Sequence, residues 1–160
     1  MASTLKVNTI QHTGGTTGLT IDSSGRVFRS NIPAFFATGS SSYVAYSAGD
    51  TLQFNSESFD DGGNYNTSTY RFVAPVTGLY NFGAQALIEN DNPAGLILKQ
   101  LNASNGVIGT FRGFQTGRGP QINTIVKMTA TDQMYVEVEQ DGNSFYLGAG
   151  YGRFYGYLIG

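Results

Sequence analysis

The 160-residue sequence contains no cysteine, no tryptophan and a single histidine, His12. Without cysteine, the chain can form neither a disulfide framework nor a thiolate metal site. His12 lies beside Thr13 and Gly14, with no second histidine or carboxylate cluster at ligand spacing, so it is a poor basis for a metal site. We therefore expect no metal and no cofactor.

Charge is also scarce. The nine Lys and Arg residues are scattered along a chain of net charge −2, whereas nucleic-acid binding needs a concentrated basic surface. The apolar runs are only a few residues long, far short of the roughly 20 residues that cross a bilayer, and no signal-peptide pattern opens the chain. We expect no nucleic-acid partner and no membrane insertion.

Catalytic patterns are missing as well. No Gly-x-Ser-x-Gly elbow is present, and Glu137 and Glu139 alternate with valines, as on the solvated face of a strand rather than in a glycosidase pair. Residues 60–64, Asp-Asp-Gly-Gly-Asn, are either a calcium loop or a turn, and without the alternating ligands and closing Glu of an EF-hand the turn is favoured. The sequence predicts a protein that is not an enzyme.

Glycine and aromatic residues are abundant, with 22 Gly, 11 Phe and 10 Tyr. This composition favours short strands and turns over helices. Apolar residues alternate from Tyr80 to Ile88 with the period of two that marks a half-buried strand. We predict an all-β jelly roll of about ten strands, at residues 34–38, 43–46, 51–55, 70–73, 78–88, 95–101, 107–114, 122–128, 133–139 and 152–159.

Residues 1–30 form a separate N-terminal arm, and residues 31–160 form the head. The arm has too few apolar residues for a core, yet six of them recur at strand spacing. These are the candidate docking residues: Leu5, Val7, Ile10, Leu19, Ile21 and Val27. We expect the arm to become ordered by pairing with other chains, and the alternative is a mobile tail.

Two predicted strands are apolar or aromatic on both faces, near Leu96 and near Phe154. A sandwich covers only one face of each sheet, so the second face needs a partner and predicts an oligomer. The alternative is that the tyrosines lie on the surface with their hydroxyls in water. The candidate interface residues are Phe154, Tyr155, Tyr157, Ile159, Leu96 and Leu98.

The stretch YNTSTYRFVAPVTGLYNF, residues 65–82, resembles the central signature of the globular head domain of the first complement component, in the tumour necrosis factor-like superfamily. Segments at 33–35, 128–136 and 154–159 match the same family in order, although Thr131 stands where the family usually has Gly, and no collagen-like stalk precedes the head. The resemblance implies a homotrimeric jelly roll. Its core motif maps onto Tyr70, Phe72, Pro75, Gly78, Tyr80, Phe82 and Gly156.

The arm resembles short N-terminal segments of phage structural proteins, notably those of marine cyanobacterial phages, in STLKVNTIQ and LTIDSSGRV. This resemblance implies a virion protein whose arm contacts other virion proteins, and whose head, as a tail-fibre, spike or head-fibre tip on the particle exterior, contacts a host receptor or glycan. Two alternatives remain: an architectural capsid-decoration, neck or tail component without a receptor role, or a secreted, extracellular, receptor-binding trimer.

Overall fold

A computed structural model describes residues 6–29, 32–90, 93–115, 117–141 and 143–160. These residues form antiparallel strands and turns without a helix, and hence without a helix that could span a membrane. The chain divides into two compact units, Met1–Ile32 and Pro33–Gly160.

The arm unit is a three-stranded antiparallel sheet of β1 (Thr9–Gln11), β2 (Thr17–Ile21) and β3 (Val27–Arg29), with β2 in the centre. The β2–β3 turn is closed by Asp22, whose carboxylate accepts hydrogen bonds from the Ser24 and Arg26 backbone amides at 2.9 Å each. The backbone hydrogen bond from Arg26 is the main cause of a lowered Asp22 pKa. Hydrogen bonds in the turn, rather than a hydrophobic core, stabilise this unit.

The apolar side chains of the arm lie at or near its surface. Ile10 and Val27 are exposed, whereas Val7, Leu19 and Ile21 are half-buried. Leu5, the sixth predicted docking residue, lies outside the described residues. None of the described apolar side chains of the arm is fully buried, as expected for a segment without its own core.

The head is built from thirteen strands in the part of the chain that the structure describes. Their bounds are β4 (Ala34–Thr38), β5 (Val44–Tyr46), β6 (Ser56–Asp61), β7 (Tyr65–Asn66), β8 (Arg71–Val73), β9 (Gly78–Gln85), β10 (Leu87–Ile88), β11 (Ala94–Leu101), β12 (Val107–Gln115), β13 (Gln121–Met128), β14 (Gln133–Val138), β15 (Asn143–Tyr146) and β16 (Arg153–Leu158).

These strands form two five-stranded sheets and one small sheet. Sheet I has the order β13-β9-β16-β4-β6, sheet II the order β12-β11-β14-β8-β7, and sheet III the order β10-β15-β5. The core lies between sheets I and II, where inward side chains of both sheets pack together. The predicted all-β jelly-roll sandwich is confirmed.

The aromatic signature supplies the centre of that core. Phe72, Tyr80 and Phe82 are fully buried, and Phe35 stacks on Phe72 with ring centroids 5.2 Å apart. Gly156 lies beneath this layer, where an added Cβ would meet the ring of Phe82 and would lie 2.9 Å from Cε1 of Phe35. The signature combines large rings with one glycine because the rings occupy the space of a side chain there.

The Pro and Gly of the signature turn the chain from sheet II to sheet I. Pro75 is exposed in the turn between β8 and β9, and the backbone of Tyr70, just before β8, is left-handed with φ 60°. Gly78 begins β9 directly beside Leu158, where an added Cβ would lie 2.6 Å from that residue's Cδ1. A larger residue at this position would require the Leu158 side chain to move.

Three local predictions were wrong. Residues 78–88 are not one strand: β9 ends at Gln85 in sheet I, and Leu87–Ile88 form β10 in sheet III. Residues 51–55 are not a strand: the Phe54 amide donates to the Leu52 carbonyl at 3.1 Å, a tight turn that removes Phe54 from any ladder, although both side chains are fully buried. The next residues, Ser56–Asp61, form the edge strand β6 instead. Strand β15, Asn143–Tyr146, lies within a segment that the sequence left as a link.

Candidate functional site

The candidate site is the face of sheet I that points away from the core. It is defined by seven side chains on five neighbouring strands and their ends: Phe36, Phe59, Leu79, Ile125, Tyr155, Tyr157 and Ile159. Leu79, Ile125 and Tyr157 are 45%, 61% and 45% exposed. Clusters of this kind on a soluble protein mark interaction surfaces.

Three of the six predicted interface residues are not on this face. Phe154 is fully buried and packs against the core ring of Phe35 at 4.9 Å, and Leu96 and Leu98 are fully buried on the inner face of sheet II. The prediction is wrong for these residues because alternation places them in the intramolecular core. Tyr155, Tyr157 and Ile159 have the opposite parity on β16 and lie on the outer face of sheet I.

Tyr155 lies flat along the outer face. An added Cβ on Gly83, its partner on β9, would overlap the Tyr155 ring, so the glycine makes room for it. The Asn123 side-chain amide donates to the Tyr155 hydroxyl at 3.1 Å, and the Phe36 ring stacks against Tyr155 at 6.3 Å. Contacts within the single chain therefore orient the Tyr155 ring.

A shallow apolar groove runs beside Tyr155. It has a volume of about 320 Å³ and is bordered by aromatic side chains, among them Phe36, Phe59 and Tyr157. Arg153 lies at its rim and donates to the Gln85 side chain. An apolar centre with a polar rim is the arrangement found in protein–protein interfaces.

The outer face of sheet II contrasts with this surface. Glu137 is buried there, accepts from Lys99 Nζ at 2.9 Å and from the Tyr135 hydroxyl at 3.2 Å, and the Arg71 guanidinium lies 5.0 Å above the Tyr135 ring. Burial, followed by the charge of Glu137, raises the pKa of Tyr135. These charges have their partners within one chain.

The same network corrects the prediction for Glu137, which is not solvated. The long side chains around it shield it from water, and Lys99 compensates the buried charge. Glu139 is paired with Arg112 at 3.1 Å. Both carboxylates are engaged in structural pairs.

Neither suspected metal site gathers ligands. Asp60 uses both carboxylate oxygens to accept the Asn64 and Tyr65 backbone amides, at 3.0 and 2.8 Å, so residues 60–64 form a turn capped by this side chain. His12 Nδ1 accepts the Gly14 amide at 3.0 Å in the β1–β2 turn. In the described part of the chain, no three His, Asp or Glu residues come together as metal ligands do.

The fold and the aromatic signature agree with a known family. The model of the C1q domain family matches residues 34–159. The chain belongs to the C1q domain family. Domains of this family are as a rule trimeric, non-enzymatic binding or structural proteins.

Solved structures with the same fold include both complement and tumour necrosis factor-type domains. The globular domain of the zebrafish complement 1qA protein shares 20% identity with a TM-score of 0.62, covering 80% of this chain and 98% of that one. Murine APRIL shares 10% identity with a TM-score of 0.64 and coverages of 80% and 99%, and Eiger TNF from S. frugiperda shares 14% with 0.61, 81% and 94%. At such identities the likeness establishes the fold.

The residue that stands where the sequence resemblance leads us to expect glycine has unusual backbone geometry. Thr131, between β13 and β14, has φ 76°, and its amide donates to the Ala74 carbonyl at 2.7 Å. A β-branched residue in the left-handed region is strained, whereas glycine adopts it freely. Glycine would relieve this strain, in agreement with the glycine that the sequence resemblance leads us to expect here.

Proposed function

We propose that this protein is a trimeric, non-enzymatic attachment protein on the exterior of a virion, anchored by its N-terminal arm and contacting the host surface with its C1q domain. The observation that carries the proposal is the asymmetry between the two sheets. The outer face of sheet I exposes a cluster of apolar and aromatic side chains, whereas the acidic groups on the outer face of sheet II are paired within the chain.

The trimer uses the outer face of sheet I. Three copies around one axis cover Tyr157, Ile125 and Leu79, which are exposed in a single chain. Burial of apolar area stabilises association by about 25 cal/mol per Å² before the entropic cost of bringing three chains together is subtracted. Tyr155 and Ile159 complete the contact surface.

The arm attaches the protein through strand edges. Strands β1 and β3 are the outer strands of the arm sheet, so each has one edge without a partner within that sheet. An exposed edge can add a strand of another chain, with backbone hydrogen bonds supplying affinity and alternate side chains supplying register. The exposed Ile10 and Val27 fit this role, as do Val7, Leu19, Ile21 and, by the sequence pattern, Leu5.

A second candidate is a secreted trimer that binds a receptor. It is favoured by the family match, because the similar structures include a complement protein and tumour necrosis factor-type proteins. A secreted trimer would leave the patterned arm without a role. The test described next separates both candidates from a purely architectural decoration.

The test is electron microscopy of purified particles in which the C-terminus, after Gly160, carries a visible label. The proposal expects labels at the ends of fibres or spikes. Labels spread over the capsid lattice or confined to the neck would favour the architectural role. Particles without the label, with the protein in the medium, would favour the secreted trimer.

A further inference from the structure

Three tyrosines, one near the start of the head and two near its end in the sequence, form one cluster at the surface of the head. The rings of Tyr43 and Tyr146 meet edge to face at 5.7 Å, and those of Tyr146 and Tyr151 do so at 5.8 Å. Arg118 Nη2 donates to the Tyr43 hydroxyl at 3.0 Å. Tyr43 and Tyr151 are 39% and 55% exposed. We call these four residues the tyrosine cluster.

The cluster is held rigidly from below. Arg118 Nε donates to the Ile88 carbonyl at 3.1 Å, and the Arg118 carbonyl accepts the Ile88 amide at 2.8 Å. The two loops that carry the tyrosines pack tightly, since a Cβ on Gly148 would lie 2.7 Å from Ser41 Oγ and 2.8 Å from Tyr146 Cε1. Exposed rings on a fixed support bind with a small entropic cost.

The cluster and the first residue of the head lie at opposite ends of β4. The chain enters the head at Pro33, where β4 begins opposite Tyr157 near the end of β16. The Gly39 amide, just after β4, donates to the carbonyl of Leu147, which lies next to Tyr146. The five residues of β4 separate these ends by about 14 Å at the usual strand rise. The cluster therefore lies at the end of the head opposite to the start of β4.

The chemistry of the cluster matches an uncharged, hydroxyl-rich ring. The electron-rich faces of tyrosines attract the polarised C–H groups on the apolar face of a pyranose, while phenol hydroxyls hydrogen-bond with its hydroxyl groups. Neighbouring loop residues, Ser40, Ser41, Ser42, Gly148 and Gly150, are small or polar. Tyrosine with serine and glycine is the composition of adaptable binding surfaces such as antibody loops.

Other partners fit less well. A fully apolar segment would leave the phenol hydroxyls facing it without partners, which costs binding energy. An anion would need free cationic donors, but Arg118, the one cation of the cluster, is already engaged by the Ile88 carbonyl and the Tyr43 hydroxyl. A hexopyranose satisfies both the rings and the hydroxyls.

We propose that the tyrosine cluster is a glycan-binding site that takes a neutral hexopyranose unit. The inference rests on the proposed host-contacting role and specifies its ligand. Tyr151, the most exposed ring, supplies the stacking platform, and the Tyr43 hydroxyl, which is held in place by Arg118, supplies a hydrogen bond to the sugar hydroxyls. A site for one sugar would be weak, and three copies in a trimer would raise the avidity for a polysaccharide.

The test is a titration of the isotope-labelled full chain with the methyl glycosides of galactose, glucose, mannose and N-acetylglucosamine, followed by amide chemical shifts. We expect at least one glycoside to shift the amides of Tyr43 and Tyr151. Tyr151→Ala should weaken that binding about five- to tenfold, the loss expected for one aromatic stack. Tyr151→Phe, which keeps the ring, should retain most of it.

The matched controls are Phe28→Ala, which removes an equally exposed ring from the arm, and Arg112→Ala, which removes a surface cation from sheet II. Both should bind the glycoside like the wild type. Absence of binding by all four glycosides, or binding that Tyr151→Ala leaves unchanged, overturns the inference. Labelling of the particle is a separate readout, so the site and the proposed attachment role can fail independently.

Discussion

Replacing Gly156 by alanine tests whether the aromatic signature and the closing strand form one close-packed unit. Gly156 lies on β16 opposite Phe82 of β9, and the added methyl group would overlap the Phe82 ring and approach Cε1 of Phe35 to 2.9 Å. Both rings are buried, so neither can swing into solvent. The backbone or the ring stack has to shift.

The expected cost follows from two opposing effects. Inserting a carbon into a well-packed core typically costs about 1–3 kcal/mol. Replacing glycine by alanine also restricts the unfolded chain, which returns about 0.4–1 kcal/mol. We expect a net loss of about 1–2 kcal/mol, against a total stability of roughly 5–15 kcal/mol for a domain.

The assay is urea unfolding of the wild type and the variant at the same protein concentration, which keeps any effect of association equal. Gly119→Ala is the matched control, since no atom lies within 4 Å of the added Cβ and its φ is outside the left-handed region. The control should be unchanged or slightly more stable. A Gly156→Ala protein as stable as this control would refute the packing described here.

Four further outcomes are expected. Phe82→Ala should lower the unfolding free energy by about 3–5 kcal/mol in the same assay, because it removes a fully buried ring; a loss under about 1 kcal/mol would contradict its place in the core. Thr131→Gly should be neutral or stabilising, by up to about 1 kcal/mol, since it relieves a left-handed φ; clear destabilisation in urea would contradict this strain. Burial raises the pKa of the Tyr65 hydroxyl, so above about pH 10 the unfolded chain loses this proton while the folded chain keeps it, and the unfolding free energy falls by up to about 1.4 kcal/mol per pH unit. Tyr65→Phe should reduce this dependence of the unfolding free energy on pH. An unchanged dependence would exclude Tyr65 as its source. Polar substitution of Val7 and Ile21 should leave the head folded but remove the protein from purified particles; normal occupancy would mean that the arm does not anchor it.

The parts of the fold that were predictable are those where a local pattern has one physical solution. From Tyr80 to Gln85 the apolar residues alternate with polar residues or glycine, and a strand with one buried face satisfies that pattern. The turn at Pro75 and Gly78 could also be predicted from neighbouring residues alone. Proline restricts its own backbone, and glycine leaves its own backbone free.

The interface was only partly predictable because β11 and β16 are apolar on both faces. Periodicity separates the two faces of a strand but does not tell which one turns towards the other sheet. Leu98 and Phe154 therefore satisfied the sequence pattern as well as Tyr157 did, and only the sheet packing assigned them to the core.

The tyrosine cluster had no local signal at all. Tyr43, Arg118 and Tyr151 are far apart in the sequence and meet through the pairing of β5, β10 and β15. Strand β15 lies in a segment for which the sequence predicts no strand, so the pairing that brings the cluster together could not be predicted. Long-range strand pairing, which no short pattern encodes, creates such sites.

The most direct test of a trimer formed through the outer face of sheet I is the mass of the isolated head, residues 31–160, measured by sedimentation equilibrium at micromolar concentration. We expect three times the mass of one copy. Tyr157→Glu, which places a charge on the outer face of sheet I, should reduce the mass to that of one copy. Arg112→Glu on the outer face of sheet II should leave the trimer intact. Trimer formation through this face is contradicted if the wild-type head sediments as a single copy or if the Tyr157→Glu head remains a full trimer.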